Sequence, residues 1–187
     1  MAYRALTLSS ALVCLAAPTF AQDMNFNRIA SFRVADNLPD AEETSAEIIA
    51  ATEDGMTLVY TDSPGGSIGF IDITDPANPT AAGVFMPEGE PTSVAVIGNH
   101  ALAGVNTSES FTAPSGYLVE VDVTTQQEVG RCDLPGQPDS VGIAPDGSFL
   151  AVAIENERDE DLGDGRVGQM PAGSVFMVDL TEDGLID

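Results

Sequence analysis

The sequence predicts an all-β protein made of three similar four-stranded units. Three observations support this fold class: a repeat of about 47 residues, short apolar runs that alternate with polar residues, and turns rich in Gly, Asn, Asp and Pro between those runs. The corresponding apolar residues Ile48, Val94 and Val141 are 46 and 47 residues apart. Gly and Pro interrupt every window longer than about eight residues, which argues against a helical repeat of similar length.

Each unit contains four predicted strands. In the first unit these are AEIIA, MTLVYT, SIGFIDI and AAGVFM. Tight turns such as Glu53-Asp54-Gly55 and Pro145-Asp146-Gly147 separate the first strand from the second, because Gly tolerates a positive φ. Four strands in about 40–50 residues make one propeller blade. The sequence therefore predicts a partial β-propeller of three four-stranded blades, over residues 46–91, 92–138 and 139–187.

A propeller typically has four to eight blades. We therefore expect these three blades to be part of a larger, truncated ring, and a self-sufficient open array of three blades is the alternative. Residues 22–45 form an N-terminal extension. Within it the run FNRIASFRVA, residues 26–35, predicts one outer strand that could pair with the first blade or close a ring.

Residues 1–21 have the pattern of a secretory signal peptide. Arg4 precedes an uncharged apolar run from Ala5 to Ala17, and small residues lead up to a cleavage site after Ala21. A membrane anchor is the alternative, but about 13 apolar residues are too few to span a bilayer comfortably. The sequence therefore predicts a periplasmic or secreted protein with no membrane attachment after cleavage.

The chain is strongly acidic. It contains no Lys, and after loss of Arg4 five arginines stand against 30 acids, a formal charge of −25. Such a surface cannot neutralise phosphates, so nucleic acid is excluded as a partner, and anionic membrane surfaces are excluded for the same reason. Divalent cations or basic partners fit the charge. Cys132 alone remains after cleavage, so no internal disulfide is expected.

Two sets of motifs resemble known families. The run PDSVGIAPDGSFLAVAIEN with the closing SVFMVDL resembles the YncE-like propeller repeats of secreted bacterial proteins. The order AEIIA, SIGFIDITDPANP, EPTSVAV and QPDSVGIAPDG resembles the choice-of-anchor I group and the N-terminal part of bacterial proteins labelled phytase-like or alkaline-phosphatase-like. The resemblance implies a propeller fold. It implies little about activity, because propellers host many functions.

Loop lengths indicate which face of the blades carries function. In a blade the loop from strand two to strand three lies on the same face as the junction to the next blade, and long loops on a rigid scaffold tend to carry function. These loops grow along the chain, from Asp62–Gly66 to Asn106–Gly116 and then Glu155–Gly173. The third loop is dense in carboxylates, which suit Ca²⁺, although a solvated acidic loop is the alternative. The predicted ligands are Glu155, Glu157, Asp159, Asp161 and Asp164.

The catalytic signals are weak. His100 is the only histidine, and its position in the first turn of its blade places it on the face opposite the long loops. A Ser-His-Asp triad and a three-His zinc site are therefore not expected. The sequence predicts an extracytoplasmic module that binds a ligand or protein on the long-loop face and is not catalytic on its own. The alternative, implied by the resemblance and the acidic loop, is part of a Ca²⁺-dependent phosphoester hydrolase.

Overall fold

The structure is a computed structural model that describes residues 27–181 and 184–185. The predicted signal peptide lies outside these residues. A short 3₁₀ helix, Val34–Asp36, is followed by strands that are all antiparallel to their neighbours. The strands are β1 (Ile49–Ala51), β2 (Thr57–Asp62), β3 (Ser67–Asp72), β4 (Thr80–Phe85), β5 (Glu90–Ile97), β6 (His100–Asn106), β7 (Gly116–Asp122), β8 (Gln127–Leu134), β9 (Pro138–Ile143), β10 (Phe149–Ile154), β11 (Ser174–Thr181) and β12 (Gly184–Leu185).

These strands form three four-stranded sheets, each made of consecutive strands in chain order. We call them blade 1 (β1–β4), blade 2 (β5–β8) and blade 3 (β9–β12). The all-β prediction of a partial propeller with three four-stranded blades is confirmed. Blades 2 and 3 begin at Glu90 and Pro138, one or two residues before the predicted positions.

The blades pack face to face through apolar side chains. Because side chains alternate along a strand, one face of blade 2 presents Val119 and Val121 to Phe70 of blade 1, and the other presents Leu102 and Leu118 to blade 3. These two seams hold most of the buried apolar side chains of the described residues. Each blade of an array depends on its neighbour in this way.

The predicted strand over residues 26–35 is wrong for the part that the structure describes, from Asn27 onward. Residues 27–33 form no strand, and the chain then turns through the 3₁₀ helix. Local contacts compete with strand pairing here, because Asp36 N donates to Arg33 O and the two side chains form an ion pair of 2.6 Å. The segment covers a face of blade 1 instead of extending its sheet.

Asn37 fixes this segment to blade 1. Its Nδ2 donates to Phe70 O at 2.8 Å and to the Tyr60 hydroxyl at 3.1 Å, and its Oδ1 accepts from Gly83 N at 3.3 Å. The contact lies where a β-bulge interrupts the ladder between β3 and β4. A bulge leaves backbone groups without a ladder partner, and the side chain of Asn37 supplies those bonds.

Candidate functional site

The loops from strand two to strand three share one face of the array with the blade junctions, as the topology predicts. In blade 1, Ser63 Oγ donates to Pro91 O across the junction at 2.9 Å. In blade 3, Glu157 N donates to Gln137 Oε1 at 3.1 Å. We call this surface the long-loop face. It comprises residues 63–66, 107–115 and 155–173 with the junctions 86–89 and 135–137.

The blade 2 loop is a compact structure with an exposed aromatic tip. Ser108 Oγ donates to Ser115 O and accepts from Ser115 N, at 3.2 and 3.0 Å. These reciprocal bonds close the base of the loop, and a bridge between Ser110 and Ala113 closes its tip. Phe111 at the tip remains 44% exposed. A closed loop of this kind holds its tip residues in a defined position.

The blade 3 loop is tied to the junction before it by Asn156. Its Oδ1 accepts from Gln137 N at 3.0 Å, and its Nδ2 donates to Ala172 O at 3.2 Å. Asn156 has a φ of 52°, a left-handed conformation that Asn adopts more readily than most residues. One side chain therefore connects the junction to both ends of the long loop.

A cavity of about 270 Å³ lies where the loops of blades 2 and 3 meet on the long-loop face. Its walls combine amide, hydroxyl and carboxylate groups with one aromatic ring. Such a mixture is typical of small-molecule sites, although the volume of this cavity lies just below their usual range of about 300–1,000 Å³. The lining residues are Asn106, Ser108, Glu109, Ser110, Phe111, Gln137 and Glu157.

The five predicted calcium ligands separate into two groups. Glu155 lies near Glu157 and near Asp139, which is the extra residue of a bulge in β9. Burial, followed by repulsion from Asp139 and Glu157, raises the pKa of Glu155. The structure thus adds Asp139 to the group, a residue that was not among the ligands predicted from the sequence.

Two of the other three acids, Asp159 and Asp164, cap turns of their own loop, and Asp161 contributes its backbone N–H. Asp159 Oδ1 accepts from Asp161 N at 2.9 Å, and Asp164 Oδ1 accepts from Arg166 N at 3.1 Å. Within residues 27–181 and 184–185, no three His, Cys, Asp or Glu side chains converge closely enough to hold a metal ion. The calcium site at these five residues stays a prediction.

The family of the chain follows from a match to a family model. The model of the choice-of-anchor I domain matches residues 47–186, which include all three blades. The chain belongs to the choice-of-anchor I domain family. Membership indicates a cell-surface or secreted protein. No curated protein matches the chain.

Solved structures similar to this choice-of-anchor I domain confirm the fold. Hydrazine synthase of Kuenenia stuttgartiensis matches with a TM-score of 0.55 at 17% sequence identity. The match covers 72% of this chain and 34% of the hydrazine synthase chain. A functionally unknown protein from Desulfotomaculum acetoxidans DSM 771 matches with a TM-score of 0.53 at 12% sequence identity. The match covers 76% of this chain and 38% of that protein. A luciferin-regenerating enzyme matches with a TM-score of 0.50 at 17% sequence identity. The match covers 71% of this chain and 44% of that enzyme. This domain therefore spans less than half the length of each of these chains.

The face opposite the long loops holds a contact between a carboxylate and an imidazole that was not predicted from the sequence. His100 is not a turn residue, because it pairs with Ile97 and begins β6. Its Nδ1 lies 2.6 Å from Oε1 of Glu120, but the angle is not that of a hydrogen bond donated by the ring N–H. Glu120 is only 3% exposed. The signal for it was a Glu within the apolar strand YLVEVDV, at a position that faces blade 3.

No helix within the part of this choice-of-anchor I domain that the structure describes is long and apolar enough to cross a membrane.

Proposed function

We propose that this choice-of-anchor I domain is an extracytoplasmic binding module that takes a ligand or a protein partner on its long-loop face and is not catalytic by itself. The observation that carries the proposal is the cavity between the blade 2 loop and the junction of blade 3, with Phe111 exposed at its edge. Aromatic side chains are frequent anchors of binding surfaces. Reciprocal loop bonds and the Asn156 contacts support it, because a surface ordered before binding loses less entropy on association.

The alternative, part of a Ca²⁺-dependent phosphoester hydrolase, has less support. Neither the family match nor the structures named above connect the chain to phosphate-ester hydrolysis. A nucleophilic serine also needs a base within hydrogen-bond reach. Ser108 and Ser110 lie on the long-loop face, whereas His100 lies on the opposite face.

A binding selection tests the proposal directly. Peptides selected from a random displayed library are titrated into the full chain, and their contact residues are mapped by backbone NMR shifts. We expect shifts centred on Ser110, Phe111 and Glu157, and about a tenfold loss of affinity in Phe111→Ser. Phe149→Ser is the matched control, because Phe149 is an exposed phenylalanine on a blade 3 strand. Shifts centred elsewhere, or equal losses in both variants, would contradict the proposal.

The same preparation separates binding from catalysis and tests calcium. We expect no hydrolysis of p-nitrophenyl phosphate above the buffer rate, with or without Ca²⁺, and measurable turnover would favour the hydrolase alternative.

If the acidic loop binds Ca²⁺, thermal stability rises with Ca²⁺ concentration, and Asp159→Asn with Asp161→Asn abolishes that rise. A rise that survives both substitutions would place the ion elsewhere.

A further inference from the structure

A second, larger cavity lies in the seam between blades 1 and 2, on the face opposite the long loops. Its volume is about 580 Å³, within the range of small-molecule sites. It opens between the turn after β1, the turn after β3, and the two corresponding turns of blade 2. The lining residues are Thr52, Glu53, Asp54, Met56, Thr57, Phe70, Asp72, Thr74, Ala82, Gly98, Asn99, Val123, Thr124 and Gln126.

Two contacts between the blades bound this seam cavity. Gln126 Nε2 of blade 2 donates to Ala82 O of blade 1 at 2.8 Å. On the other side, next to the first strands of the two blades, β1 and β5, Gly98 N of blade 2 donates to Glu53 Oε1 of blade 1 at 3.4 Å. Hydrogen bonds therefore join the two blades on both sides of the cavity, and the packed side chains of Phe70 and Val123 form its base.

Four side-chain donors of the polar lining, those of Thr52, Asn99, Thr124 and Gln126, are occupied. The hydroxyl of Thr52 donates to Asp54, and that of Thr124 donates to Asn99. The amide of Asn99 in turn donates to Asp122, which lies outside the lining. A ligand that completes the hydrogen bonds of this lining must itself bring donors.

Hydrogen bonds favour the ionised form of two carboxylates of the lining, Asp54 and Asp72. Hydrogen bonds from Thr52 and then Met56 lower the pKa of Asp54, and a bond from Thr74 N lowers the pKa of Asp72. Arginines that form ion pairs do so with other acids, as Arg33 does with Asp36 and Arg131 with Glu128. The rim of the cavity is therefore negative at neutral pH.

The spacing of these acids selects the kind of cation. Among the described residues no three acidic, His or Cys side chains are close enough to bind one metal ion. Acids that are spread around an apolar base instead suit a cation whose charge is carried on an apolar stem. From the cavity, its occupied donors and its apolar base, we propose that the seam between blades 1 and 2 binds an alkylammonium group.

The test titrates n-pentylammonium chloride into the full chain at low ionic strength, with 1-pentanol and pentanoate as probes of the same length. We expect pentylammonium to shift the backbone amide signals of Gly98, Asn99 and Val123 and to bind about tenfold tighter than 1-pentanol. We expect no binding of pentanoate. Added salt weakens the interaction of exposed charges, so the affinity should fall as salt rises. Equal binding of 1-pentanol and pentylammonium would overturn the proposal.

Two variants separate a specific site from the general attraction of a cation to an acidic protein. Asp72→Asn should weaken binding about fivefold, whereas Asp75→Asn, which removes the same charge, should change it less than about twofold. Asp75 is the matched control, because it is an acid of the same turn that caps its own backbone and does not line the cavity. An equal loss in both proteins would show a diffuse charge effect and would refute the site.

The source of the ammonium group is distinguished by a peptide. If N-acetyl-Gly-Lys-Gly-amide displaces pentylammonium, the site accepts a lysine side chain of a partner protein. If it does not, while pentylammonium binds, the ligand is a free amine. Phe111→Ser should leave amine binding unchanged, so that failure of the long-loop proposal and failure of this one are separate outcomes.

Discussion

The two ends of the three-blade array differ in what covers them. At the blade 1 end, the segment around Asn37 lies over the outer face, and Tyr60 and Ile71 on that face are buried. At the blade 3 end, Val175 and Met177 on the outer face are 68% and 53% exposed. Both faces are apolar, but only the first is covered by the described residues of the chain.

The difference shows that burial in this fold is decided by the adjoining surface, not by the residue type. Phe70 and Met177 occupy the same place in their strands, two residues before Asp72 and Asp179. Phe70 is fully buried because blade 2 packs on it, and Met177 is half exposed. A strand pattern therefore predicts which face is apolar but not whether that face is covered.

The largest effect we expect comes from one substitution placed at each end. At Gly69, on the covered face, an added Cβ would overlap the Tyr60 ring, with its nearest ring atom 2.1 Å away. Overpacking of this kind costs about 1–3 kcal/mol, so Gly69→Ala should lower Tm by roughly 3–10 °C. Gly142→Ala is the control at the blade 3 end, where nothing lies within 4 Å of the new Cβ.

Thermal unfolding followed by circular dichroism measures both variants. Gly142→Ala should leave Tm within about 1–2 °C of the parent or raise it, because alanine reduces the entropy of the unfolded chain. Similar losses of Tm at the two positions would mean that the N-terminal segment does not hold Tyr60 against β3.

A smaller effect should follow from loosening the cover itself. Asn37→Ala removes the bonds to Tyr60, Phe70 and Gly83, and leaves the carbonyl of Phe70 without this partner. The expected cost is about 1–2 kcal/mol, measured as a lower urea midpoint. Hydrogen exchange should also rise at Gly83 but not in β11 of blade 3. Protection that falls equally at both ends would indicate global unfolding and not a local cover.

The smallest effects should have opposite signs at the two ends. The raised pKa of Glu155 in blade 3 means that ionisation above its ordinary value of 4.5 costs stability, so Glu155→Gln should raise Tm slightly at pH 7. The lowered pKa of Asp72 in blade 1 means that ionisation adds stability above its ordinary value of 3.8. Asp72→Asn should therefore lower Tm slightly.

Melting curves over a range of pH check these signs. The gain from Glu155→Gln should disappear as the pH falls through the raised pKa of Glu155. The loss from Asp72→Asn should disappear as the pH falls through the lowered pKa of Asp72. Identical pH profiles for the two variants would show that neither shift reflects its local contacts.

The sequence predicts the features of this fold that depend on neighbours in the chain. Alternating runs and turn residues located the strands and the blades because a strand and its turn are local patterns. Asn37 could not be recognised, since its partners Tyr60, Phe70 and Gly83 lie 23 to 46 residues away. The acidic loop was visible as composition, but its division between turn-capping acids and the Glu155 group depends on the path of the backbone.

The way the blades are joined has a consequence for the evolution of this fold. Among the residues that the structure describes, every strand ladder lies within one blade, and the seams are built chiefly from side chains such as Leu102, Leu118 and Phe70. A gene segment that encodes one blade can therefore be copied in tandem without breaking a ladder, provided that its two faces still match. Divergence between the copies is then free to accumulate in the loops, which differ most in length among these three blades.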